Sequence, residues 1–284
     1  MNRRDVRRRF DGAAAGFESA DFVHRHAAAG LLERLVPMTL TVERVLDAGA
    51  AAGAASRALA KTWRKSHVVS LDLSIAMLRK ARASRSRFAR ISELQADVTQ
   101  LPLADGCIDL VFANMLLPWS IDPPGFLTEV RRVLRKEGLF AFSTLGPDSL
   151  RELREAWAEV DADEHVNAFP DMHDIGDLVV RAGLRDPVVD VDYLTVAYRS
   201  GDALMHDLTN AGARNCLLGR RRTLTGKQRF ARMRAALERR FGNDGLPLRL
   251  ELVFGHAWGS GPPPAAGSGH EFRLDVADIG RRRR

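Results

Sequence analysis

The chain has little of what extracellular, metal-stapled or membrane proteins are built from. Its 284 residues include two cysteines, Cys107 and Cys216, with no C-x-x-C pair, so neither a disulfide framework nor a structural zinc site is expected. No apolar run approaches the ~18 residues of a membrane span. Met1-Asn2-Arg3-Arg4 leads into further charge rather than an apolar stretch, which argues against a signal peptide. A soluble, cytoplasmic protein is the default expectation. Lysine is scarce too: Lys61, Lys65, Lys80, Lys136 and Lys227 are the only five among 43 basic residues, so the net charge of +7 rests on arginine. We read that skew as compositional. No basic stretch is interleaved with the aromatics that single-strand binders use, so a nucleic-acid partner is not expected. A basic surface would suit an acidic partner.

Hydrolytic signatures are also missing. There is no G-x-S-x-G, no H-E-x-x-H and no P-loop lysine. The eight histidines are scattered, and His24 and His26, two apart, fall on different helix faces.

What is present is a core-forming composition, 45% hydrophobic, enough for one large domain or one with an embedded lid. Apolar residues at helical spacing run through Arg3–Phe17 and Asp21–Val36. From Arg44 strand and helix alternate, which predicts a parallel sheet. The expected strands are Arg44–Leu46, His67–Leu71, Leu94–Ala96, Ile108–Ala113 and Leu139–Thr144, then Val188–Val196 and Leu248–Phe254. Helices are expected at Ala54–Trp63, Ile75–Arg85, Pro124–Leu134 (with Gly138 as C-cap), Ser149–Val160, Asp174–Ala182, Asp202–Ala211 and Lys227–Phe241. Residues 1–40 form one expected unit and 41–259 the main domain, with a helical insertion at about 202–241. The Pro/Gly-rich linker and Arg281–Arg284 tail, 260–284, are expected to be disordered.

The chain is organised around Val45-Leu46-Asp47-Ala48-Gly49-Ala50-Ala51-Ala52-Gly53, a strand that stops at a small-residue turn opening a helix. Open α/β sheets build cofactor crevices this way: small residues admit the ligand to the backbone, and the helix N-terminus offers unpaired N–H groups. Gly49 and Gly53 do not give the G-x-G-x-x-G register of a dinucleotide fold. Further on, Asp72 and Asp97 end the second and third strands, where carboxylates can accept ribose hydroxyls and an exocyclic amine. Asn114 ends the fourth, Trp119 follows, and Glu129-x-x-Arg132-Val133-Leu134-x-x-x-Gly138 closes the run.

Asp47-x-Gly49-x-x-x-Gly53 with these acids resembles the first motif and strand-end pattern of class I S-adenosylmethionine-dependent methyltransferases. That resemblance implies a Rossmann-like α/β fold: a seven-stranded, mostly parallel sheet, helices on both faces and a helical lid. It implies S-adenosylmethionine as cofactor, with Asp47, Gly49, Gly53 and Asn114 around it. Asp72 would take the ribose and Asp97 the adenine, Leu73 and Val98 flanking the base and Met77 lining the core beneath. Phe10-Asp11-Gly12-Ala13-Ala14-Ala15-Gly16-Phe17 is similar to the F-x-x-A-A-x-x-Y opening of malonyl-[acyl-carrier protein] O-methyltransferases of biotin synthesis. His165-Val166-Asn167-Ala168-Phe169 matches their H-x-N-x-F, and Phe142-Ser143-Thr144-Leu145 with Ser149–Trp157, and Gly212-Ala213…Leu224-Thr225, resemble two further segments.

The family reaction methylates the free carboxyl of malonyl-acyl carrier protein. A carboxylate is already a nucleophile at neutral pH, so the reaction needs alignment and water exclusion rather than a general base. Phe17, Trp119, His165 and Asn167 are the implied substrate-side residues, and the acidic carrier protein is the implied partner. Departures from the pattern are Ala51 for the middle glycine, Phe17 for tyrosine, and Pro118 for glutamine before Trp119. If position 51 requires positive φ, alanine costs roughly 1–2 kcal/mol there. Two alternatives stay open: Asp174–Trp258 also resembles the mitochondrial complex I assembly factor that hydroxylates arginine, and Ala51 would suit a non-catalytic binding module.

Overall fold

The computed structural model describes residues 1–221, 223, 225–242 and 245–261. The linker and tail expectation from 262 onward, and Leu224 of the family-like segment, lie outside the described residues.

Seven strands form one sheet: β1 (Arg44–Ala48), β2 (His67–Asp72), β3 (Ile91–Gln95), β4 (Ile108–Asn114), β5 (Leu134–Leu145), β6 (Arg185–Tyr198) and β7 (Leu246–Trp258), in the order β3-β2-β1-β4-β5-β7-β6. β3 through β5 pair in parallel, and β7 runs antiparallel to both of its neighbours. The mostly parallel expectation therefore holds. The reversal of strand order beside β1 opens a crevice at the carboxyl ends of β1 and β4.

The sheet is covered on both faces because its central strands carry apolar side chains on both faces. In β4, Leu110 and Phe112 join one core cluster while Val111 and Ala113 join the other, the alternation a strand imposes. The first cluster packs under α3 (Phe22–Leu35) and α4 (Ala54–Thr62), which contribute Leu31 and Leu59. The second packs under α6 (Pro123–Val133) and α8 (Met172–Arg181), with Phe126 and Val179. Two shorter helices, α1 (Arg3–Ala13) and α2 (Phe17–Ala20), precede α3, while α5 (Ile75–Ser84) and α7 (Arg151–Ala158) follow β2 and β5. Between β6 and β7 lie α9 (Gly201–Asn210) and α10 (Lys227–Glu238). This insertion is tied back to α1: the Arg9 guanidinium donates to Asn215 O at 3.2 Å, and Arg220 pairs with Asp5 at 2.7 Å.

Two sequence expectations need correction. Gly138 does not cap α6, because β5 begins directly at Leu134. A Cβ there would lie 3.0 Å from Arg135 O and 3.1 Å from Asp109 O, so glycine answers a close backbone approach. Asp97 does not end β3 but stands two residues beyond it.

Candidate active site

β1 turns into α4 through Gly49–Gly53. The N–H groups of Gly49 and Ala50 both donate to Leu71 O, at 2.8 and 2.9 Å, pinning the turn to β2. Alternate residues are left-handed: Gly49 at φ 78°, Ala51 at 45° and Gly53 at 76°. A Cβ on Gly53 would also sit 2.8 Å from Ala81 Cβ, and one on Gly49 3.0 Å from Leu116 Cδ1. The middle position does require positive φ, so Ala51 carries the strain anticipated for it, roughly 1–2 kcal/mol. Its N–H donates to Asp72 Oδ2 at 2.9 Å, which helps hold that conformation.

Asp72 closes β2 with its other oxygen accepting the Ser74 N–H at 2.7 Å. The carboxylate is thus oriented by two backbone donors and keeps lone pairs for a ligand. Burial raises its pKa to about 6; the Ser74 and Ala51 N–H groups pull it down, and Asp11 pushes it up. Asp72 borders a cavity of about 180 Å³, together with Gly49, Leu73, Asp97, Val98 and Asn114. Phe17 and Trp119 line its other side. Asp97 is already engaged on both oxygens: Oδ1 accepts from the Thr99 N–H and hydroxyl, each at 2.8 Å, and Oδ2 pairs with Arg3. That arginine partner lies 94 positions away and left no mark in the sequence pattern.

The other residues singled out in the sequence fall into two groups. Gly53 and Met77 stand behind the cavity wall; Met77 is fully buried against Ala13, Ala14, Phe17 and Ala52. Asp47 is buried beneath the turn, its Oδ2 taking the Ser56 hydroxyl and its Oδ1 sealed without a partner among the described residues. Burial drives its pKa up to about 7; the Ser56 hydrogen bond opposes the shift and Asp72 adds to it. Asp47 borders a third chamber of about 260 Å³ on the turn's other face, shared with Gly49, Ala51, Phe17 and Asn114.

His165 and Asn167 belong to a second chamber of about 130 Å³, walled by Leu145, Leu150, Leu153, Val166, Leu248 and Leu250. His165 Nε2 lies 2.7 Å from Asp161, with its ring stacked 3.7 Å from that of Trp157. The Asn167 amide donates to Pro118 O at 3.2 Å. Asp161, Asp163 and His165 bring their ligand atoms within 4.8 Å of one another, but Arg229 and Arg221 already pair with the two acids. Trp119 and Met115 line both this chamber and the Asp72 cavity. So does His24, which sequence reasoning passed over; nothing in its local spacing marks it.

Fold and site together define a class I methyltransferase: an open α/β sheet with a glycine turn and strand-end carboxylates around one crevice. Residues 46–142 match the methyltransferase domain family. The chain resembles YcgJ of Bacillus subtilis in fold, with a TM-score of 0.59 at 16% identity, over 82% of this chain and 98% of that one. Curated relatives cover it end to end. The malonyl-[acyl-carrier protein] O-methyltransferase of Halorhodospira halophila is 42% identical over 100% of this chain and 97% of its own length. That of a Methylovorus species is 44% identical over 89% of this chain and 88% of its own. The chain belongs to the malonyl-[acyl-carrier protein] O-methyltransferase family. Among the described residues no helix is long and apolar enough to cross a membrane.

Proposed function

We propose that the chain transfers the methyl group of S-adenosylmethionine to the free carboxylate of a malonyl group on acyl carrier protein. The observation that carries this reading is the whole-length relationship to enzymes of that name, which extends through the acceptor-side segments as well as the cofactor turn. It favours methyl transfer over the hydroxylase and non-catalytic alternatives.

The residues present fit the cofactor. Asp72, held by two N–H donors, suits a pair of ribose hydroxyls, and Leu73 and Val98 suit the faces of the base. Gly49 suits a close approach of ligand to backbone, and Asp47 an amino group at the turn. Asp97 would meet the base amine only in competition with Arg3. When bound, S-adenosylmethionine supplies a methyl on a sulfonium, an electrophile whose leaving group is a neutral thioether.

The chain's own work is then positional. The leucine-walled chamber receives the acyl arm and excludes water, while the residues shared between chambers set where donor and acceptor meet. No side chain has to remove a proton, because the acceptor arrives ionised. Capping the carboxylate would let a dicarboxylic primer enter apolar elongation pockets that reject a charged end. At the Asn215 end of the chamber, Arg9, Arg214 and Arg220 crowd together. Burial and its two arginine neighbours hold the Arg9 guanidinium below its usual range. Such a cluster suits an acidic carrier.

Malonyl-carrier protein incubated with the chain and cofactor should gain the mass of one methylene by mass spectrometry. No gain, with an active control enzyme methylating the same carrier, would overturn the reading.

A further inference from the structure

The Asp72 cavity and the leucine-walled chamber meet at three shared residues, His24, Met115 and Trp119. On the proposed reaction, which this inference rests on, the methyl group crosses at that junction. Met115 offers apolar atoms there, and Trp119 stands edge-on to Phe10 with ring centroids 5.2 Å apart. Trp119 also carries an indole N–H, a donor only, whereas His24 can donate or accept and touches the third chamber as well.

Its backbone is anchored and its ring is packed on one side. The carbonyl of His24 accepts the Asn114 side-chain amide at 2.9 Å, and Asn114 is in turn held by the Ser143 hydroxyl at 2.7 Å. Phe17 packs against the imidazole, with centroids 5.2 Å apart. Nδ1 is sealed from solvent and has no hydrogen-bond partner among the described residues. That leaves Nε2 as the nitrogen facing the cavities. Burying a bare lone pair costs less than burying an unpaired N–H, so the proton of the neutral ring belongs on Nε2.

We infer that His24 is an acceptor-binding residue: its Nε2–H donates to one oxygen of the malonyl carboxylate and leaves the other oxygen to attack the methyl. A donor on the attacking oxygen would drain the electron pair that forms the new O–C bond; a donor on its neighbour stops rotation without that penalty. Burial lowers the His24 pKa to about 4, so the ring is a neutral donor at working pH and transfers no proton in the step. The bond balance is unaffected by it: the O–C bond forms, the C–S bond breaks, and its electron pair stays on sulfur.

Three variants test the assignment, each measured for kcat and KM with malonyl-carrier protein and for cofactor affinity by calorimetry. His24→Leu should lower kcat/KM about 10- to 100-fold, as expected for loss of a hydrogen bond to a charged group, while cofactor affinity stays within about threefold. His24→Gln places an amide N–H near the Nε2 position and should recover most of that loss. His24→Asn places its amide near Nδ1 and should not. Leucine or asparagine variants as active as wild type, with cofactor binding intact, would overturn the inference. So would a leucine variant whose whole defect is lost cofactor affinity. Failure of the wild-type chain to methylate the carrier at all would instead overturn the proposed function.

Discussion

Replacing Ala51 by glycine separates two roles that the first-motif turn combines. In the folded chain, residue 51 already sits at φ 45° with its N–H on Asp72 at 2.9 Å. The strain of holding alanine there, roughly 1–2 kcal/mol, therefore belongs to the folding equilibrium and not to cofactor binding. Glycine would relieve it. Against that gain stands the larger unfolded-state freedom of glycine, about 0.4–1 kcal/mol. The half-buried Ala51 methyl also packs toward Ala13, Ala14 and Phe17. Removing it costs about half of the ~0.8 kcal/mol assigned to a fully buried methylene. The sum is a stability change between about zero and +1 kcal/mol, or at most a few degrees in Tm for a domain of this size. Cofactor affinity, measured by titration calorimetry, should change by less than about tenfold, equivalent to 1.4 kcal/mol. A larger gain in affinity would mean that the methyl obstructs the crevice, and would refute the argument that this turn is preformed for binding.

Asp72→Asn sets an amide NH₂ against a backbone N–H that now donates to carboxylate. Cofactor affinity should fall at least about tenfold, and unchanged affinity in calorimetry would remove Asp72 from the site. Asp47, with its pKa raised to about 7 from the usual value near 4, stabilises the fold while protonated. That contribution is complete below the unfolded-state pKa and is lost as pH rises through about 7. His24, lowered to about 4, works in the opposite direction between about pH 4 and 6.5, so the wild-type slope alone is not diagnostic. The apo Asp47→Asn variant should gain stability relative to wild type between pH 5 and 8, by an amount on the order of 1–3 kcal/mol in denaturant titrations. A constant difference across that range would refute it. Arg132 joins Glu129 and Asp105 with the carbonyls of Leu101 and Leu103. Arg132→Ala should cost about 2–4 kcal/mol in denaturant titrations and leave the cofactor dissociation constant unchanged, because this network braces the 101–105 loop rather than the crevice.

The sheet was legible because its signals are local. Apolar runs bounded by turns located all seven strands, and Asp72 could be read as a strand-end carboxylate without knowing its neighbours, whereas Asp97 stands two residues past the end of β3. The glycine turn was legible for the same reason, since φ demands act on one residue at a time. Gly138 was misread because a glycine after a helix looks like a cap, whereas its reason lies in Asp109 O, far away along the chain. The Arg3 hold on Asp97 and the Asn114 hold on His24 are contacts of the N-terminal helices with the loop after β3 and the end of β4, which no single-window pattern records.

This division between local and long-range signal bears on where acceptor choice is written. The methyltransferase-domain match ends at residue 142 and contains the turn, Asp72, Asp97 and Asn114. The second chamber draws little from that span: Met115, Pro118 and Trp119. Its remaining walls come from α2 and α3, from Leu145–Phe169, and from the β6–β7 region with its helical insertion. The donor crevice and the acceptor chamber are thus built largely from different stretches of the chain. The relatives at 42–44% identity, matched over 88–97% of their own length, therefore carry the reading of the acceptor, whereas a fold neighbour at 16% identity speaks to the fold alone. The junction residues join the two parts: His24 comes from the N-terminal helices and Trp119 from the 3₁₀ turn that follows β4. A change at either should alter the acceptor's KM and kcat before it alters cofactor affinity.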